Sequence, residues 1–206
     1  VTGVQTCALP ILRELSLNIK KDKITVILGR SGCGKTTLLR LIAGLESVSQ
    51  GEIKFKEQAK IGFVFQEPRL MPFLNVYENI VFALKKKEIE ASKIDSLISM
   101  IGLSDFKFAA VSQLSGGMSS RVSLARVLAY EANLILMDEP FAALDAFTRA
   151  SMQAEILKIQ AGKTILFVTH NIDEALFLAD EIILLEKGGI KSNYELSNLA
   201  KPRDLL

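Results

Sequence analysis

Three short stretches of this chain, Ile24-Thr25-Val26-Ile27-Leu28, Leu134-Ile135-Leu136-Met137 and Thr164-Ile165-Leu166-Phe167-Val168, are apolar almost without interruption. A strand with one wet face alternates, whereas a strand buried on both faces does not, and such strands belong to parallel sheets covered by helices on either side. The segments between them carry the helical signals. Thr37 to Ala43 reads as a short apolar helix closed by Gly44, and Ala146 to about Gln160 as a longer one closed by Gly162. Another starts at Gly116 or Gly117 and continues through Leu128. From Asn75 to about Ile101 apolar positions recur at helical spacing, with Lys85-Lys86-Lys87 as a solvated face. Leu12 to Ile19 alternates at Leu15, Leu17 and Ile19, which predicts a short strand before a Lys20-Lys21-Asp22-Lys23 turn. Gly51 to Phe55 and Lys60 to Phe65 predict two further strands, the second ended by Gln66.

With 206 residues, 49% of them hydrophobic, the chain is long and apolar enough to bury one sizeable core. A net charge of +2 points to no particular partner. No apolar run approaches the eighteen or so residues that span a bilayer, so in any membrane process another chain supplies the channel. Two cysteines, Cys7 and Cys33, are too few for a disulfide framework and suit a reducing compartment. Val1 to Ile11, VTGVQTCALPI, carries no charge and no period. It resembles the in-frame translation of a sequencing-adapter primer, so the native segment is expected to start near Leu12, leaving Cys33 as the native thiol.

Gly29-Arg30-Ser31-Gly32-Cys33-Gly34-Lys35-Thr36 directly follows the first apolar strand. Glycines at Gly29, Gly32 and Gly34 let the backbone turn tightly enough to aim successive N–H groups at phosphate oxygens, and the helix beginning near Lys35 adds its positive end. Lys35 can reach the outer phosphates of a nucleoside triphosphate and Thr36 a bound Mg²⁺. Asp138-Glu139 and His170 end the other two apolar strands. Ligands of open α/β sheets bind at such carboxyl ends.

Leu114-Ser115-Gly116-Gly117-Met118, placed before the Asp138 strand, completes a set of ordered motifs. From Leu12 onward the chain resembles the nucleotide-binding subunit of an ATP-binding cassette (ABC) transporter. The resemblance implies a P-loop NTPase fold: a parallel-sheet core with an antiparallel β edge and an inserted helical subdomain at about 67–125, within a single domain from 12 to 206. It implies that ATP is cradled by Gly29, Arg30, Ser31, Gly32, Cys33, Gly34, Lys35, Thr36 and Thr37, and that Mg²⁺ is held by Thr36, Gln66 and Asp138. Burying a carboxylate at the end of an apolar strand is costly unless it meets a cation, which gives the Asp138 assignment its own support. Glu139 is implied to orient or deprotonate the attacking water, with His170 at the γ-phosphate and Gln66 sensing the transmembrane partner.

Ser115, Gly116, Gly117 and Asp145, on the family's pattern, serve ATP across a head-to-tail homodimer formed on nucleotide binding. The resemblance also implies permease subunits, indirectly a solute-binding protein, no nucleic acid, and a place on the cytoplasmic face of the membrane. The stretches Phe65 to Pro72 and Thr169 to Leu176 look most like nitrate, sulfonate and taurine importers. Met118 and Ser119-Ser120 depart from the commoner glutamine-containing signature, and no aromatic residue precedes Phe55 to stack on adenine. The expected reaction is ATP plus water to ADP and phosphate, powering import of a small solute. The alternatives are a soluble cassette ATPase without a permease and a truncated fragment that binds nucleotide poorly.

Overall fold

A computed structural model describes residues 11–142 and 144–196. β1 (Ile24–Leu28), β2 (Ile61–Val64), β3 (Leu134–Asp138), β4 (Thr164–Thr169), β5 (Glu181–Glu186) and β6 (Gly189–Glu195) form one sheet in the order β2-β3-β4-β1-β5-β6. All neighbours are parallel except β5 and β6. α1 (Lys35–Ile42), α5 (Ala146–Ile159) and α6 (Ile172–Leu178) connect the parallel strands, and α2 (Val76–Val81), α3 (Ala91–Met100) and α4 (Gly116–Ala129) fill the long crossover from β2 to β3.

The apolar runs bury both faces, as strand geometry requires of successive side chains. Val26, Ile135, Met137, Ile165 and Phe167 point into one cluster, which Leu124, Val127 and Leu128 of α4, Met152 and Ile156 of α5 and Leu178 of α6 complete. Ile27, Leu134, Leu136, Leu166 and Val168 point the other way, against Leu38, Leu39 and Ile42 of α1. A third cluster joins Val76 and Ile80 of α2 and Ile94 and Ile98 of α3 to Val122, Ala125 and Ala129, so α4 packs the sheet with one side and the helical insertion with the other.

Three segments depart from the pattern-based expectation. The stretch from Leu12 to Ile19 is not a strand. It lies over the α1 side of the sheet with Leu12, Leu15, Leu17 and Ile19 against that cluster, and Glu14 sits in the left-handed region at φ 46°, which breaks any ladder. Gly51 to Phe55 joins no ladder and all five residues are exposed, so no buried face rewards a strand there. The helical pattern from Asn75 to Ile101 is two helices. α2 opens on an Asn75–Glu78 capping box, and the lysine run occupies a single 3₁₀ turn at Lys86–Glu88 with no buried side chain. The antiparallel edge is the β5–β6 hairpin, whose turn residues Lys187 and Gly188 have φ 50° and 82°, the geometry that matches strand twist. Val1 to Pro10, Ala143 and the segment 197–206 lie outside the described residues.

Candidate nucleotide site

β1, β2, β3 and β4 end nearly level: Leu28 pairs with Thr169, Val64 with Met137 and Asp138 with Val168. The loops leaving these ends are therefore delivered to one edge of the sheet. After Leu28 the chain turns through Gly32 at φ 80° and Gly34 at φ 104° into α1. Gly34 is the helix N-cap, no side chain caps it, and the first turn holds no acid, so the positive helix end has no internal anion. At Gly29 a methyl group would stand 2.5 Å from Leu185 O and 2.7 Å from Cys33 Sγ, which glycine alone avoids.

Lys35 is 5% exposed. Its Nζ donates to the carbonyls of Gly29 at 2.8 Å and Arg30 at 3.1 Å, and lies 3.6 Å from Glu139 Oε1. The ammonium is thus held over the loop, beside the carboxylate at the end of β3. Thr36 Oγ1 donates to Asp138 Oδ1 at 3.0 Å. Burial pushes the Asp138 carboxyl up, and neighbouring Glu139 adds to this, against the Thr36 hydroxyl and the cations Arg40 and Lys35. A nearly buried carboxylate beside a hydroxyl, with its charge disfavoured, is an oxygen donor set that a hard divalent cation stabilises, so these residues fit Mg²⁺.

Glu139 N still donates to Val168 O at 3.0 Å, but its φ of 43° is left-handed. For a non-glycine residue that costs about 1–3 kcal/mol. The turn swings the Glu139 side chain away from that of Asp138 and towards His170, whose Nδ1 lies 3.0 Å from Glu139 Oε2. The His170 side chain is 58% exposed and that of Glu139 16%, so the pair faces the open edge.

The remaining expected residues divide into two groups. Gln66 is exposed, two residues past the end of β2 and at the same sheet edge. Ser115 caps α4, its Oγ accepting from Met118 N at 3.2 Å, while Gly116 is exposed. A methyl on Gly117 would stand 3.2 Å from Leu144 Cδ2, which places the helix start beside the loop leading to Asp145. Asp145 is exposed and caps α5, accepting from Thr148 N at 2.9 Å and Thr148 Oγ1 at 2.6 Å, and these bonds hold its carboxyl below the ordinary range. Among the described residues no hydrogen bond or ion pair joins Ser115, Gly116, Gly117 or Asp145 to the Gly29–Thr37 loop. They form a second polar surface on the same chain.

Sequence reasoning missed the side chains that hold these loops. Arg126 of α4 donates to Pro68 O at 3.0 Å and Arg69 O at 3.2 Å, fixing the chain after Gln66, and burial lowers its pKa. Asn79 of α2 is fully buried and ties Met71, Leu74 and Asn75. Arg149 and Glu174 link α5 to α6. An arginine on the apolar side of a helix was the one available signal.

Residues 12–142 match the family described as ABC transporter. A taurine import ATP-binding protein of Jannaschia sp. (strain CCS1) is 43% identical over 90% of this chain and 74% of its own length. A spermidine/putrescine import ATP-binding protein of Bacteroides fragilis (strain YCH46) is 42% identical over 87% of this chain and 42% of its own length. Among solved structures, an ATP-binding cassette captured as a dimer in a post-hydrolysis state with ADP and Pi bound superposes with a TM-score of 0.81 at 32% identity, covering 90% of each chain. The chain belongs to the ABC transporter family. It is an ATP-binding subunit of the import type, which uses ATP and Mg²⁺ and couples ATP hydrolysis to transport.

Proposed function

We propose that Lys35, Thr36, Asp138, Glu139 and His170 are the working residues of this ATPase, and that Ser115, Gly116, Gly117 and Asp145 serve a nucleotide held by a second copy. The observation that carries the reading is the convergence at one sheet edge: Lys35 beside Glu139, Thr36 on Asp138, and His170 on Glu139. Lys35 exchanges the carbonyls of Gly29 and Arg30 for the outer phosphates, joined by backbone N–H groups at the start of α1. Thr36 and Asp138, with Gln66, hold Mg²⁺, which neutralises charge on the phosphates. Glu139 accepts a proton from the attacking water or orients it, and His170 holds the Glu139 carboxylate in place. The products are ADP and phosphate.

A chain with one phosphate loop has no use for a second anion-directed helix start on the same nucleotide. Exposure of Ser115 and Gly116 beside the Asp145 loop supports the head-to-tail dimer. Among the described residues no helix is long and apolar enough to cross a membrane, and relatives named as import ATP-binding proteins favour a permease carried by other subunits. The helical insertion from about 67 to 125 presents the segment after Gln66, clamped by Arg126 and Asn79, to that permease on the cytoplasmic face. A solute-binding protein acts indirectly. The transported solute is small, with the taurine and sulfonate class favoured by the stretches around Gln66 and His170. Relatives named for taurine and for spermidine match about equally, as they should if the permease chooses the solute.

Mixing Glu139→Gln with MgATP tests the reading: a dimer on size-exclusion chromatography that Ser115→Arg abolishes supports it. A monomer at saturating ATP would refute the shared site.

A further inference from the structure

Arg149 lies on α5 and Glu174 on α6, and both are largely withdrawn from water, with side chains 32% and 8% exposed. A buried pair of this kind is a poor device for stability, since apolar residues of similar volume hold two helices as well or better. Its partners explain it differently. The guanidinium donates through Nη2 to Leu144 O at 2.9 Å, the carbonyl directly before Asp145. Glu174 Oε2 accepts from Thr169 Oγ1 at 2.6 Å, and that oxygen in turn accepts from Asn171 N at 3.0 Å. Glu174 thus grips the two residues flanking His170, while Arg149 grips the loop that leaves Glu139.

These contacts close a ring. From Glu139 the chain runs to Leu144, whose carbonyl is held by Arg149; Arg149 meets Glu174, Glu174 holds Thr169, His170 comes next in the chain, and its Nδ1 returns to Glu139 Oε2. One joint in the ring is slack. Arg149 Nε is buried without a hydrogen-bond partner and lies 3.5 Å from Glu174 Oε1, a few tenths of an ångström beyond hydrogen-bonding distance.

We propose that Arg149 and Glu174 are positioning residues that hold the His170 loop and the chain leading from Glu139 to Asp145 in register. The inference rests on the roles of Glu139 and His170 in hydrolysis. Misplacing a catalytic group by about 1 Å can cost about 100-fold in rate.

The test is a cycle of Arg149→Met, Glu174→Gln and the double variant in the full chain, with steady-state ATP hydrolysis and NMR of the His170 ring. His170 is the sole histidine, so its ring C–H signal needs no assignment. Each single variant is expected to lower kcat by about 10- to 100-fold with KM for ATP within about twofold, and the double to be no worse than the weaker single. The His170 signal should shift or split in all three and stay put in Lys158→Ala, a change at an exposed site of α5. Losses that multiply in the double, an unmoved His170 signal, or an unchanged kcat would overturn the proposal. Should Arg149→Met fail to fold, the isosteric Glu174→Gln carries both readouts alone. If wild-type chain releases no phosphate, the reading of Glu139 and His170 fails while the NMR cycle still decides whether the ring exists.

Discussion

Replacing Lys35 by methionine separates the nucleotide site from the fold. In the free protein Lys35 makes two charge-assisted bonds, at 2.8 and 3.1 Å, from a side chain that is 5% exposed. Methionine loses both, but it also removes the cost of burying an ammonium, and the stem volume is kept, so the free protein should lose no more than about 1–2 kcal/mol. The effect on nucleotide is different in kind, because nothing replaces a cation facing phosphate. A lost charge-assisted contact is worth about 1.5–3 kcal/mol, or a roughly 10- to 150-fold weaker MgATP complex. At a ligand concentration about 1,000-fold above Kd the wild-type chain gains about 4 kcal/mol. For a domain of this size each kcal/mol moves Tm by about 2–4 °C, so the variant should forfeit about 3–12 °C of the ligand-induced shift. Differential scanning fluorimetry with and without MgATP reads this directly. A Lys35→Met protein that keeps the full wild-type shift would refute the placement of phosphate at Gly29–Thr37.

Local geometry sets three further outcomes. Gly29→Ala drives a methyl into the backbone of β5 at Leu185 O, so urea unfolding should show a loss of about 1–3 kcal/mol along with lost nucleotide binding. Phe141→Ala empties a 2%-exposed site packed 5.3 Å from the Phe167 ring, and should cost about 3–5 kcal/mol by the same measurement. The bonds from Thr148 depress the Asp145 carboxyl, so its contribution is present above the ordinary aspartate pKa and fades as pH falls through the depressed value. Melting curves of wild type and Thr148→Ala should therefore differ at neutral pH and converge as the carboxyl is protonated in acid; a gap that does not narrow as pH falls would contradict the cap.

What was legible in the chain was whatever one local requirement dictates. β1, β3 and β4 showed as apolar runs because both faces are covered, and the phosphate loop showed because Gly32 and Gly34 answer a backbone demand within the turn itself, although the close approach that requires Gly29 is to distant Leu185. Gly51 to Phe55 has strand-like composition but no layer above or below it, a fact about distant residues. The break between α2 and α3 falls after Val81, where Phe82 turns out to solvent and the lysine turn buries no side chain, and no proline or glycine marks it. β5 begins with Glu181, a polar opening that hides a strand, and the carboxylate is tolerated there because Asn193 donates to it at 2.8 Å and Thr25 at 3.3 Å from neighbouring strands. The same holds for the site. The strand-end residues Asp138, Glu139 and His170 could be placed from pattern alone, while Arg126, Arg149 and Glu174 act through contacts between separate helices and loops that spacing does not reveal.

Phosphate release by the purified chain in MgATP, compared between wild type and Glu139→Gln, bears most directly on the central claim. The arrangement of Glu139 between Lys35 and His170 predicts that wild type turns over ATP, and that the variant binds it with similar affinity but releases phosphate at least about 100-fold more slowly. A variant that hydrolyses ATP at the wild-type rate would show that the carboxylate at the end of β3 is not the group that acts on water.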